Sequence, residues 1–173
     1  MEYIENAQNF IEQFAPYFKM LYKHREPLPR DLERLLSRFN TVHSTGYFVR
    51  SGCSRMVIVG GDFVIKMNYD GWGSGRAGGI EDEIEAFAMV EDAGFDYLFA
   101  KPTPFFYGEH MMVIMPRIVD VDEDRDFDDV DDLTEEECDF LNDNFFDLHG
   151  GNFGYTECGE FVVFDYAWRR IEY

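Results

Sequence analysis

Apolar residues recur every three to four positions over residues 5–22, where Phe10, Ile11, Phe14, Phe18 and Leu21 mark one face of an amphipathic helix. Pro16 lies inside that stretch, and its missing N–H predicts a kink or break. A second helix is predicted from Asp31 to Phe39, with Leu32, Leu35 and Leu36 inward and Asp31 or the preceding Pro-Arg marking its start. The period changes after Thr41. Tyr47–Arg50, Met56–Val59 and Phe63–Met67 read as three short strands. Ser51-Gly52-Cys53-Ser54 separates the first two, and the hairpin signal Gly60-Gly61-Asp62 separates the last two.

Residues 71–79 form a glycine-rich loop, and a helix is predicted from Ile80 to Asp92, stopping at Ala93-Gly94. Residues 104–107 and 111–115 read as two more strands, joined through Gly108-Glu109-His110. The acidic run 120–139, opposed only by Arg125, predicts a solvated linker. Thr134-Glu135-Glu136-Glu137 has the pattern of a capping box, opening a helix with Phe140, Leu141, Phe145 and Phe146 on its buried side. Asp147–Gly154 reads as a loop, and Phe161–Phe164 as a strand that ends at Asp165.

Composition narrows the function classes. The 173 residues suit one domain or a small two-lobed one, and a 46% hydrophobic content with 17% aromatics supports a real core. Thirty-five acidic residues against 15 basic ones leave a formal charge of −20. Such a field repels phosphate backbones, so direct nucleic-acid binding is disfavoured. It favours basic partners, or proteins whose own partner is nucleic acid. Cys53, Cys138 and Cys158 show no metal-ligand spacing, and three sparse cysteines suggest a reducing cytoplasm. The opening Met-Glu-Tyr-Ile-Glu lacks the regions of a secretion signal. No apolar run approaches the ~20 residues needed to cross a bilayer. The expectation is a soluble cytoplasmic protein without a membrane partner.

Five polar residues stand out against this background. Lys66 ends the apolar run Phe63-Val64-Ile65-Lys66, and a lysine so placed needs an anion nearby, although one that snorkels to water is the plain alternative. An acid on the following helix can orient it. Glu83 precedes Phe87 and Val90 by four and seven residues, which puts it on the apolar stripe, with Glu85 as the alternative. Asp147 and Asn152 lie five apart on one loop. Asp147 suits an acceptor for a hydroxyl proton, and Asn152 offers a neutral oxygen to a cation. Asp165, thirteen residues after Asn152, ends an apolar strand and offers a charged oxygen. Magnesium favours such ligands and keeps water and phosphate as the remainder.

Phe146-Asp147-Leu148-His149-Gly150-Gly151-Asn152 resembles the catalytic loop of the protein-kinase-like superfamily. The form Asp-x-His-x-x-Asn is similar to that of aminoglycoside phosphotransferases and of small bacteriophage serine/threonine kinases. Val163-Phe164-Asp165-Tyr166-Ala167 resembles the metal-binding Asp-Phe-Gly segment, and the likeness runs over roughly residues 46–168. It implies an α+β, truncated kinase-like fold: N-terminal helices over 1–45, an antiparallel N-lobe sheet with an αC-type helix over 46–118, and an acidic linker with a reduced helical C-lobe over 119–173.

By this resemblance the cofactors are ATP and Mg²⁺, and the activity is phosphotransfer, with a basic host protein as substrate. Lys66 and Glu83 form the ion pair that holds the phosphates, Asp147 is the base, and Asn152 and Asp165 hold the metal. Gly52 and Ser54 lie in the phosphate-covering turn, and Met115-Pro116-Arg117 becomes the hinge that meets adenine through its backbone. His149 either braces the loop or reaches toward phosphate. The phage likeness implies the host cytoplasm as location.

The departures from the family pattern bear on substrate. Only Gly52 matches the Gly-x-Gly-x-x-Gly loop, and Phe145-Phe146-Asp147 replaces His-Arg-Asp. The sequence given stops at Tyr173, without an activation segment, an Ala-Pro-Glu motif or a helical substrate platform. Two alternatives follow. One is an acidic kinase-like decoy or pseudokinase that inhibits a basic nucleic-acid-handling protein. The other is a small-molecule phosphotransferase whose field attracts cationic substrates.

Overall fold

The computed structural model describes residues 2–24, 29–43, 45–51, 55–68, 78–156 and 158–167. Gly52, Ser54 and residues 71–77 of the glycine-rich stretch lie outside the described residues. The protein is α+β and divides into two compact units, residues 1–80 with 102–117 and residues 81–101 with 118–173.

The first unit holds helices α1 (Glu2–Gln13), α2 (Ala15–His24) and α3 (Pro29–His43) against an antiparallel five-stranded sheet. Its strands are β1 (Phe48–Ser51), β2 (Arg55–Val59), β3 (Phe63–Asn68), β4 (Thr103–Tyr107) and β5 (His110–Pro116), in the order β1-β2-β3-β5-β4. The predicted helix over 5–22 is split at Phe14. Pro16 has no N–H to donate back to Glu12, so the chain restarts, and the proline sits in the first turn of α2 where that donor is not needed. The apolar face still continues across the break. Phe10 packs with Phe14 at 4.6 Å, Tyr47 at 5.0 Å and Phe63 at 5.6 Å between ring centroids. In α3, Leu32 and Leu36 are buried but Leu35 is exposed, because residues four apart share a stripe and their neighbour falls off its edge.

Strand alternation then sorts the sheet into two faces. Val49, Met56, Ile58, Phe63, Ile65, Met67, Met112 and Ile114 join the helices in one core cluster. Val57, Val59, Val64, Lys66, Val113 and Met115 take the alternate positions, on the opposite face. The β2–β3 turn closes with the Gly60 N–H donating to the Phe63 carbonyl at 2.8 Å.

In the second unit, helix α4 (Ile80–Ala93) contributes Glu81 onward. It ends in a Schellman motif: Gly94 adopts φ 83°, its N–H reaches the Glu91 carbonyl at 3.1 Å, and the Phe95 N–H reaches that of Val90 at 2.9 Å. Helix α5 (Glu135–Asn144) begins with the capping box read from the sequence, Thr134 and Glu137 bonding each other's backbone N–H. The Glu137 carboxylate also accepts the Tyr97 hydroxyl at 2.6 Å. That bond, with those from Thr134, holds Glu137 below the usual carboxylate range, and Tyr97 is pushed up to about 12. A two-stranded antiparallel ribbon, β6 (Phe153–Tyr155) and β7 (Phe161–Val163), completes the unit.

Three expectations for this unit need correction. Phe146 is 54% exposed, because α5 ends at Asn144 and the chain turns away from the buried stripe after Phe145. The predicted loop 147–154 turns into β6 at Phe153, where pairing with β7 satisfies its backbone. The acidic run is not a plain solvated linker. Its carboxylates are largely exposed, yet Phe127 and Val130 are buried, and Phe127 packs on Phe153 at 5.9 Å and Phe161 at 6.3 Å. Around α5, Phe95 stacks on Phe140 at 4.1 Å, and Phe99 meets both Phe145 and Tyr166 at 5.1 Å.

Phe10 joins α1, α2 and the sheet in one aromatic cluster, so Phe10→Ala is expected to destabilise the protein by about 3–5 kcal/mol. Urea unfolding checks this, and a loss below about 1 kcal/mol would contradict the packing described.

Candidate functional site

Lys66, Met115 and Arg117 belong to the first unit, and Glu83, Asp147, His149, Asn152 and Asp165 to the second. The amphipathic logic of α4 settles the choice between its two acids. Glu83 is fully buried with Ala86, Phe87 and Val90, whereas Glu85 is exposed. A carboxylate taken wholly out of water needs compensating charge or hydrogen bonds.

Lys66 is equally withdrawn, at 3% exposure. It lies opposite Val57 on β2 and Val113 on β5, so its neighbours across the ladder are both apolar. Met115 pairs with Val64 and is buried beside it. Arg117 is tied to the β2–β3 turn: its N–H donates to the Asp62 carbonyl at 3.0 Å and its Nη1 to the Gly60 carbonyl at 2.9 Å. The backbone N–H of Arg117 is therefore committed within the protein.

The second unit brings Asp147, His149, Asn152 and Asp165 together by hydrogen bonds centred on Asn152. The Asn152 N–H donates to the His149 carbonyl at 2.7 Å, closing the turn. Its side-chain Nδ2 donates to the Asp147 carbonyl at 2.7 Å. Its own carbonyl accepts the N–H of Phe164 at 2.8 Å and of Asp165 at 3.2 Å. One residue thus locks the start of the loop, its end, and the segment after β7. The bond to Asp147 also orients the carboxamide, since its nitrogen must face that carbonyl and its oxygen must turn away.

His149 braces this turn. Its Nδ1 accepts the Gly151 N–H at 3.1 Å, so the neutral ring carries its proton on Nε2. Nε2 lies 3.7 Å from Asp147 Oδ1, and both side chains are about half exposed. Asp147 is therefore reachable from solvent while its backbone is fixed. The chain beyond Asp165 is anchored in turn by the buried Tyr166, whose hydroxyl donates to the Ala100 carbonyl at 2.7 Å.

Sequence reasoning overlooks the support behind the loop. The acidic segment lies directly against it: the Gly150 N–H donates to the Arg125 carbonyl at 3.0 Å, and Asp126 bridges His149. Asp120 and Tyr155 likewise exchange backbone bonds, the Tyr155 N–H reaching the Asp120 carbonyl at 3.0 Å. Glycine is required at these crossings. A Cβ on Gly150 would fall 1.9 Å from the Asp122 carbonyl oxygen, and one on Gly154 2.5 Å from that of Asp120. The adjacent Gly150-Gly151 pair and Gly154 are the signals that point to this close approach.

Asn152 carries a carboxamide oxygen and the half-buried Asp165 a carboxylate, on residues whose backbones are hydrogen-bonded to each other. This suits a magnesium ion that takes one or two protein oxygens and keeps phosphate and water. Among the described residues no group of three or more His, Cys, Asp or Glu is placed to hold a metal. Lys66 in the first unit and Glu83 in the second are each buried ionisable side chains.

No protein-family model and no curated protein matches the chain. No helix among the described residues is long and apolar enough to cross a membrane.

Gly150→Ala is expected to cost about 1–3 kcal/mol or more, because its Cβ meets fixed backbone. Gly151→Ala should cost less, since its Cβ meets only the His149 ring at 2.9 Å, which can turn aside. Thermal denaturation of both variants checks the ordering, and equal losses would contradict it.

Proposed function

We propose that the protein is an ATP-dependent phosphotransferase with a minimal kinase-like arrangement of lobes, acting on serine or threonine of a basic protein. The observation that carries this reading is the set of bonds around Asn152, which ties Asp147, at five residues' distance, to Asp165, at thirteen. An aspartate held as a base and an aspartate held as a metal ligand need fixed mutual placement, because phosphoryl transfer depends on positioning and charge neutralisation.

Roles follow from chemistry. Lys66, buried on an apolar face, binds the α- and β-phosphates, and Glu83 orients and balances it. The Asn152 carboxamide oxygen and the Asp165 carboxylate would hold Mg²⁺, which would supply charge neutralisation for the transferring phosphoryl group. Asp147, half exposed, accepts the hydrogen bond of the acceptor hydroxyl and takes its proton as the oxygen attacks the γ-phosphorus, while the bond from that phosphorus to the β–γ bridging oxygen breaks and ADP leaves. Met115 and the β5 backbone are the proposed contact for adenine. The −20 charge steers cationic substrates toward the site. The likeness to small bacteriophage kinases makes a host protein the natural acceptor.

A second reading draws on the exposed carboxylates of Asp122, Asp124, Asp126, Asp128 and Asp129. A scaffold held this rigidly and charged this heavily suits capture of a basic nucleic-acid-handling protein, with or without catalysis.

Transfer of labelled γ-phosphate to a panel of basic peptides, with ATP and Mg²⁺, separates the two. The phosphotransferase reading predicts transfer that falls by about 10³-fold or more in Lys66→Met and in Asp147→Asn, the latter retaining nucleotide binding. In a double-mutant cycle, Lys66→Met and Glu83→Gln should be strongly non-additive. Absence of transfer and of nucleotide binding in the wild-type protein, alongside tight capture of a basic protein, would establish the second reading instead.

A further inference from the structure

Among the described residues of the second unit, three large apolar side chains are exposed: Tyr97, Val119 and Phe146. A single exposed ring is ordinary on a protein surface. Phe146 differs in how the chain holds it. Phe145, just before it, ends α5: its N–H donates to the Leu141 carbonyl at 2.9 Å, and its ring is buried against Phe99 at 5.1 Å. The extended backbone of Phe145, with φ −126° and ψ 143°, turns the next side chain to the opposite side, out of that aromatic cluster. Asp147, just after, has its carbonyl bound by Asn152 Nδ2 at 2.7 Å. Phe146 makes contacts of its own within the protein, and 54% of it still meets solvent.

An apolar ring is thereby presented to water beside a carboxylate that is itself about half exposed. Their Cα atoms are about 3.8 Å apart, as consecutive residues are. An extended segment that brings a hydroxyl to Asp147 carries its neighbouring residues along at about 3.3 Å per step. Side chains one or two positions from that hydroxyl therefore fall within reach of the Phe146 ring. Beyond Asp147 the loop turns polar, with His149 exposed and bridged to Asp126, an exposed acid. This order suits a segment with an apolar residue close to its hydroxyl and a basic residue further off.

We propose that Phe146 selects the acceptor segment: its ring packs on an apolar side chain one or two residues from the serine or threonine that Asp147 serves. This role deepens the phosphotransferase reading and rests on it. Packing removes apolar surface of both partners from water, and it fixes the hydroxyl against a backbone held on both sides. Phe146 itself takes no part in proton or phosphoryl transfer.

Peptide transfer assays test the role with a basic serine peptide whose four flanking positions are glycine, and with relatives carrying one leucine at each of those positions in turn. With ATP and Mg²⁺, the wild type should favour the best leucine peptide by about 10-fold in kcat/KM, chiefly through KM. Phe146→Ala should bring that ratio close to one, and Phe146→Leu should keep part of it. The ratio compares two substrates in one sample, so a variant that is only less stable leaves it unchanged. Phe146→Gln, which keeps a side chain without the ring, makes the same comparison should Phe146→Ala not fold. Transfer by the wild type without a leucine preference, or a preference that survives in Phe146→Ala, overturns the role of Phe146 alone and leaves the Asp147 assignment standing. Where the wild type transfers no phosphate, fluorescence anisotropy of the same peptides, labelled, decides. Leucine-dependent binding that is lost in Phe146→Ala overturns the phosphotransferase reading and keeps Phe146 as a docking residue. Binding without that dependence, or no binding, overturns both.

Discussion

Everything proposed for the second unit depends on the hydrogen bonds of Asn152. Its carboxamide holds the Asp147 carbonyl, its N–H holds that of His149, and its carbonyl takes the N–H groups of Phe164 and Asp165. A buried polar side chain so fully used is costly to disturb, because each lost partner leaves a desolvated group behind. The same bond commits the carboxamide nitrogen to the Asp147 carbonyl, and the proposed metal site uses the oxygen of that group. Structure and proposed chemistry therefore make the same demand on one residue.

The loop would be a poor platform if it stood alone. Its backing is the segment 120–130, whose backbone lies so close that Gly150 and Gly154 have no room for a side chain. Buried Phe127 and Val130 hold that segment down, and the aromatic contacts of Phe127 with Phe153 and Phe161 fasten it to the ribbon. The carboxylates face water while the backbone does structural work. This division explains how a run so acidic can be ordered: repulsion among exposed charges is weakened by solvent and salt, while backbone bonds and buried rings are not.

Much of the fold is legible in the sequence. The periodicities locate the helices and strands, Gly94 marks the end of α4, and Thr134 with Glu137 marks the start of α5. The spacing from Asp147 to Asn152 and on to Asp165 points to residues that the second unit does join. Placing Glu83 on the buried stripe needs only the helical period. What escapes is decided by tertiary contact. A run of like charge says where side chains are solvated and nothing about backbone pairing, so the acidic run reads as a linker. Leu35 is one step off a buried stripe, a distinction finer than periodicity resolves, and Phe146 falls beyond the end of α5.

The most direct measurement is a crystal structure with Mg²⁺ and a non-hydrolysable ATP analogue. The account predicts a magnesium ion about 2.0–2.1 Å from the Asn152 carboxamide oxygen and from an Asp165 carboxylate oxygen, bridging the triphosphate. Asp147 should face the γ-phosphate across room for a hydroxyl. A triphosphate seated elsewhere, or a metal held without Asn152 and Asp165, would contradict the account.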